Sequence, residues 1–428
     1  MSHSSPTRLA VAVALLLAGV PSAMAQEAYP PGQARAQLRP VGEPEAPTDS
    51  GPFEQAPIFV DYREEMRRFV QSISAYARKQ KKNFAIVAQN GLDLLNKIEG
   101  LEESKPRPAP ARAYMHAIDG ILVENLHYGF QQFDRPMPPN RHKKALGLVT
   151  QARQAGLRVL TVDYALDSLH VEDAYRRSLN DGYVPFVAPA RGFDLSFLPR
   201  HPARPVNENP EHILSLREVR NFAWLMDSSP FGTEAQFALK MHETNFDLLL
   251  VGITHGRDIL SRRAVETLKY KYLGSRRQVF AHVNIGTAAA YDYFWKPEWR
   301  EGSPTFIGTP VKGNPDLYRV EYWKPEWQQI ITGNTNSMIQ GVIYLGFDGV
   351  VLDGLDAFQY FERPEGKKED TGEDIEDAEA QATPSSAPAE PAAPAPATTA
   401  PEPAPEKPAE TKPAGPLMLS PAAGLPSR

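Results

Sequence analysis

Acidic and amide side chains recur at the ends of short apolar runs. Gln89 and Asn90 close FAIVAQN, Glu124 closes AIDGILVE, Asp163 and Tyr164 close LRVLTVDY, Asn284 ends the polar part of VFAHVNIG, and Asp353 closes FDGVVLD. Two carboxyls facing one scissile bond can divide the work of a hydrolysis. The neutral one protonates the leaving oxygen, and the ionised one attacks or activates water. Glu124 and Asp353 form the best such pair, provided that the runs they end, far apart in sequence, belong to one barrel. Loop onset alone would also end strands in polar residues, but it accounts less well for acids at three tips, IDGILVE, LTVDY and GVVLD. Asp348 opens the last run, at the end opposite Asp353, and is expected to anchor it. Asp356 stands where its side chain can cap the AFQYF helix.

The elements that must carry these residues are eight: FAIVAQN (84–90), AIDGILVE (117–124), LRVLTVDY (157–164), YVPFVA (183–188), VRNFAWL (219–225), FDLLLVG (246–252), VFAHVNIG (279–286) and FDGVVLD (347–353). They are β-rich and apolar on both faces, as strands covered on both sides of a parallel sheet must be. Amphipathic segments lie between several of them. In REEMRRFVQSISAYARKQ (63–80), Met66, Phe69, Val70, Ile73 and Ala77 share one face. Eight strands alternating with helices predict an α/β fold, a (β/α)8 TIM barrel whose strand tips meet at one end. A doubly wound open sheet is the alternative that the spacing leaves.

Composition bounds the rest. Arg8 precedes an apolar run from Leu9 to Val20, and Ala23, Met24 and Ala25 offer a small-residue cleavage site. The sequence therefore predicts a signal peptide over 1–25, cut after Ala25, and a secreted or periplasmic protein without a stable membrane anchor. A Pro-rich linker (26–57) leads to one domain (58–362). The following Pro/Ala/Glu-rich tail (363–428) holds 14 of the 41 prolines and carries a net charge of −6, equal to that of the whole chain; it is expected to be disordered. The body is thus neutral, and net charge says nothing of its ligand. With no cysteine and no metal-ligand spacing, no disulfide, metal or cofactor is expected. No basic stripe or glycine-rich nucleotide loop appears, so no nucleic-acid partner is expected either, and a monomer is.

The motifs FDGVVLDGLDAFQYF, FAIVAQNGLDLL, IDGILVENLHYG, VLTVDYALD and GYVPFVA together resemble the endo-α-1,4-polygalactosaminidase family, glycoside hydrolase family 114. LREVRNFAWLM, FDLLLVG and VFAHVNIGTAAAYDYFW look like that family's first three strands, so the resemblance spans nearly the whole body. Their order differs. In the family the NFAWL-, DLLLVG- and HVNIG-like strands come first and FDGVVLD is fourth; here the last four strands come first. The resemblance thus implies a circularly permuted barrel, opened between FDGVVLD and the helix that REEMRRF begins. A closed ring tolerates such a cut because every strand keeps both neighbours.

The family's activity implies hydrolysis of α-1,4-linked, partly deacetylated galactosamine polymers of biofilm or cell-envelope type. Glu124 would be acid/base and Asp353 nucleophile in a retaining mechanism. By the same likeness Gln89 and Asn90, otherwise readable as a turn with Gly91, would bind the sugar, with Asp163, Tyr164, Tyr128 and Asp356; Asp119 is the weaker flank of Glu124. WKPEW occurs twice (295–299 and 323–327). Either it starts a helix and packs there, or Trp295 and Trp323 offer flat faces to sugar rings. The chain departs from the family at Gly252 to His255, where an Asp and a Tyr are usual, and at Thr287, Ala289 and Ala290, where the family is charged. Those departures leave a second reading, a weak or inactive carbohydrate-binding protein on the same barrel.

Overall fold

The computed structural model describes residues 60–99 and 107–363. The predicted signal peptide and linker, and the tail from residue 364, lie outside the described residues. All eight apolar runs are strands: β1 (Ala85–Gln89), β2 (Gly120–Glu124), β3 (Arg158–Tyr164), β4 (Val184–Ala188), β5 (Phe222–Leu225), β6 (Leu248–Val251), β7 (Gln278–Asn284) and β8 (Gly349–Asp353). They form one parallel sheet in the order β4-β3-β2-β1-β8-β7-β6-β5. The order runs once round in sequence with no reversal, unlike a doubly wound sheet. Helices surround the sheet, and the result is a nearly closed, TIM-like barrel. Burial explains the apolar runs: β1, β4, β5 and β6 are buried at every position.

The seam lies between β4 and β5, where no ladder hydrogen bonds occur among the described residues. Side chains close it: the rings of Phe186 and Phe222 meet at 5.5 Å. Helices α2 (Arg112–Ala117), α3 (Pro139–Gln154), α4 (Ser168–Asn180), α5 (Glu234–His242), α6 (Arg262–Leu268), and the pair α7 (Pro325–Ile331) and α8 (Met338–Leu345) each lie between consecutive strands. The β4–β5 connection, 189–221, has only short 3-10 turns. The β8-to-β1 step is not connected through the chain, yet its helix exists: α1 (Tyr62–Gln80) packs beside α2 and α8. All five apolar residues predicted for the buried face of α1 are buried, and Asp61 caps it by accepting from the Glu64 N–H at 2.9 Å, a bond worth about 1 kcal/mol.

The first and last described elements meet. The Tyr62 ring lies 5.5 Å from Phe361 of α9 (Phe358–Phe361). Arg63 grips the Glu362 carboxylate with Nε at 2.8 Å and Nη2 at 2.9 Å. That pair is half-exposed, so it marks proximity more than it adds stability. At the other end of the barrel, Asp348 joins Lys81 and Lys269, each at 3.1 Å, and anchors β8 as its position predicts. Asp119 pairs there with Arg78 at 2.9 Å, so it does not flank Glu124's site. Deeper still, Lys271 Nζ contacts Asp247 Oδ1 at 2.6 Å with both side chains wholly buried. Asp247 also accepts from Asn209 and from the Arg220 N–H, tying the long β4–β5 connection to the barrel.

Candidate active site

The strand tips open into a cavity of about 630 Å³, into which Gln89, Glu124, Tyr164, His282, Asn284 and Asp353 all project. Strand register brings them together: Asp353 lies beside Asn284, while β1 pairs with both β2 and β8 and so stands between Glu124 and Asp353. The β7 and β8 tips approach closely because two residues lack side chains. A Cβ on Gly286 would fall 2.2 Å from the Gly354 carbonyl oxygen, and one on Gly354 would fall 2.6 Å from Asn284 Oδ1. Gly354 also has φ 77°, the left-handed region that glycine favours. These contacts are what the glycines of NIG and LDG are for.

Glu124 is held by three donors. The Tyr164 hydroxyl donates to Oε2 at 2.8 Å, and Gln89 Nε2 and Asn90 Nδ2 donate to Oε1 at 2.5 and 3.3 Å. Asn90 has φ 54° and Gly91 φ 57°, so the turn reading of this pair stands as well; the turn aims the Asn90 amide back, and its Oδ1 accepts from the Glu124 N–H at 3.1 Å. Asp353 accepts from Asn284 Nδ2 at 3.2 Å and from the Gly354 N–H at 2.6 Å. Between the two carboxyls runs a bridge. Because Gln89 spends its NH2 on Glu124, its Oε1 is the acceptor facing His282 Nε2 at 3.1 Å, which requires the proton on Nε2. The same N–H lies 3.5 Å from Asp353 Oδ2.

The electrostatics act on both acids in the same direction. Burial raises the Glu124 carboxyl above the usual carboxylate range; the Tyr164 hydroxyl opposes this, and the charge of Asp353 adds to it. Burial also raises Asp353, opposed by the Gly354 N–H and the Asn284 amide. After burial and against the Tyr164 hydroxyl, the negative charge that Asp353 carries when ionised is a further cause that raises Glu124. Burial lowers His282 to about 4, so its ring is neutral at neutral pH. Two carboxyls raised by burial in one cavity can divide the work of proton-assisted displacement.

Other predicted contacts are placed elsewhere. Asp163 is buried and does not line the cavity: its Oδ1 takes the N–H groups of His127 and Tyr128 at 2.6 and 2.8 Å, its Oδ2 has no partner, and burial pushes the carboxyl up to about 6. Adjacent strand residues face opposite ways, so Tyr164 enters the barrel mouth while Asp163 faces α4. Tyr128 stacks on His170 and donates to Asp173 at 2.9 Å, outside the cavity. Asp356 sits in a 3-10 turn whose cap position is Gly354 and caps neither that turn nor α9, yet it stays near Asp353: burial, and then the charge of Asp353, raises its carboxyl. Trp295 packs on Tyr318 at 5.0 Å, and Trp323 lies between Tyr62 and Phe361 at 4.9 and 4.7 Å. Neither reaches the cavity. His282, stacked on Trp224, went unmarked in the sequence. Its signal was a histidine two residues before Asn284, on the same face of an otherwise apolar strand.

No family model matches the chain. It is similar to an uncharacterized protein of Thermotoga maritima, 38% identical over 81 residues that make up 19% of this chain and 24% of that one. An uncharacterized protein of Methanocaldococcus jannaschii is 28% identical over 123 residues, 28% of this chain and 33% of its own. One of Deinococcus radiodurans is 31% identical over 92 residues, 22% and 29%. The chain thus spans a quarter to a third of the length of the curated relatives it matches.

Proposed function

We propose that the protein is a retaining endo-glycosidase acting on α-1,4-linked, partly deacetylated galactosamine polymers, with Glu124 as acid/base and Asp353 as nucleophile. The observation that carries this reading is the convergence of the two carboxyls in one cavity, with the charge of Asp353 raising Glu124. Asp353 attacks the anomeric carbon as the glycosidic C–O bond breaks, and Glu124 gives its proton to the departing oxygen. Water then attacks the glycosyl ester, Glu124 takes its proton, and Asp353 is released as carboxylate. His282, neutral and tied to Gln89, holds an N–H near Asp353 without neutralising it. The substrate class comes from the motif resemblance, and the predicted leader supports export.

A circular permutation of the family's barrel is part of the proposal. The seam without ladder bonds falls between β4 and β5, the strands that would end and begin the family order. The described ends touch, and α1 fills the β8-to-β1 step. Incubating the full mature chain with a panel of amino-sugar polymers and weighing the products tests the activity. Oligosaccharide release from the galactosamine polymer is expected. Binding without release from any polymer would favour the carbohydrate-binding reading.

A further inference from the structure

The first WKPEW motif borders a second cavity, of about 530 Å³, with Phe294 and Trp299 in its wall. Tyr293, 49% exposed, lines this cavity and the catalytic one alike, so the two adjoin across one ring. Trp299 is fixed in orientation: Trp295 meets it at 5.5 Å and Phe306 stands edge-on to it, also at 5.5 Å. Exposed Glu326 and Gln329 stand on the rim with Lys296, whose Nζ lies 5.8 Å from the centre of the Trp299 ring. The second WKPEW copy has no such outlook. Trp323 is enclosed at the junction of the chain ends, and Trp327 is fully buried, donating its Nε1–H to the Ile285 carbonyl at 2.9 Å.

Fixed aromatic rings beside a carboxylate, an amide and the Lys296 ammonium, continuous with a cavity that holds two acids, suit a chain that carries both free hydroxyl or acetamido groups and amines. Sugar rings present flat C–H faces that pack on aromatic surfaces, and their hydroxyl and ammonium groups pair with amide and carboxylate. We infer that a polysaccharide chain held at Glu124 and Asp353 continues across Tyr293 into the second cavity, where Trp299 and Phe294 carry its distal sugars and Glu326 and Gln329 bind their polar groups. This rests on the glycosidase reading and adds to it a preference for long chains.

The test compares a partly deacetylated α-1,4-galactosamine polymer with the trisaccharide of the same sugar, for wild type, Trp299→Ala and the exposed double variant Glu326→Ala/Gln329→Ala. Retardation in gels carrying the polymer follows binding independently of turnover. The expected result is a fall of about tenfold in kcat/KM on the polymer for Trp299→Ala, mostly through KM, with unchanged trisaccharide hydrolysis and weakened retardation. The double variant, which leaves the core intact, should move the same ratio in the same direction. Wild-type polymer-to-trisaccharide ratios and wild-type retardation in both variants would overturn the inference while leaving the glycosidase reading standing. A wild type that hydrolyses neither substrate would overturn that reading instead, and the gels would still decide whether Trp299 binds the polymer.

Discussion

Replacing Tyr164 by Phe removes one donor from Glu124 and changes little else, since the ring stays packed. The lost bond, 2.8 Å from hydroxyl to carboxylate oxygen, favours the ionised form of Glu124. A hydrogen bond to a charged group is worth about 1.5–3 kcal/mol, and one pKa unit corresponds to about 1.4 kcal/mol. The Glu124 pKa should therefore rise by about 1 to 2 units. Its folded-state pKa is already raised, so the native state holds this proton more tightly than the unfolded chain, and stability falls as pH climbs through the folded value. Further raising makes the variant's deficit against wild type small below the ordinary carboxylate pKa and full above the folded one. Carbon-13 NMR of Glu-labelled protein reads the pKa directly, and the alkaline limb of the pH–rate profile should move upward by a similar amount. An unmoved Glu124 titration together with an unmoved alkaline limb would refute the reasoning.

Three further perturbations probe the frame. Burial raises Asp163 from an ordinary 3.8 to about 6, which withdraws about 3 kcal/mol of stability as pH rises between those values; Asp163→Asn should thus gain on wild type by about that amount from pH 4 to pH 7 in urea titrations, and a pH-independent difference would contradict it. Lys271→Met leaves Asp247 buried without its cation and should cost about 3–5 kcal/mol, whereas adding Asp247→Leu should recover part of the loss. Both are read by denaturant unfolding. A chain cut between Ala203 and Arg204 in the exposed β4–β5 connection, with Arg363 joined to Asp61 by a short linker, should fold cooperatively with an unchanged circular dichroism spectrum. Failure to fold would count against the permuted ring.

The strands were legible because each is an unbroken apolar run, and a strand covered on both sides can be little else. The α1 face was legible from its spacing, and Asp348 from its place at the start of a strand. Asp163 and Tyr128 misled because nearness in sequence to a tip does not give direction: side chains alternate along β3, so Tyr164 enters the mouth and Asp163 turns to α4. Of the two readings of WKPEW, the helix start with packed rings holds for the second copy, where Pro325 opens α7 and Trp323 packs on Tyr62 and Phe361. WKPEW is too short to show periodicity, and the chain between β7 and α7 forms a small antiparallel sheet, Thr287–Ala289, Ile307–Val311 and Asn314–Val320, that no apolar pattern announced. His282 acquires its part through Gln89, 193 positions away in sequence, and through Asp353, neither of them a sequence neighbour.

The central claim is that Glu124 and Asp353 act as a pair, and turnover of the galactosamine polymer by Glu124→Gln and Asp353→Asn tests it most directly. Each substitution keeps the shape of its side chain while removing, respectively, the transferable proton and the attacking charge. Each should lower kcat by about 10²–10⁴ with polymer binding and unfolding little changed, and Asp348→Asn, at the far end of β8, should remain active. Near-normal turnover by either Glu124→Gln or Asp353→Asn would contradict it.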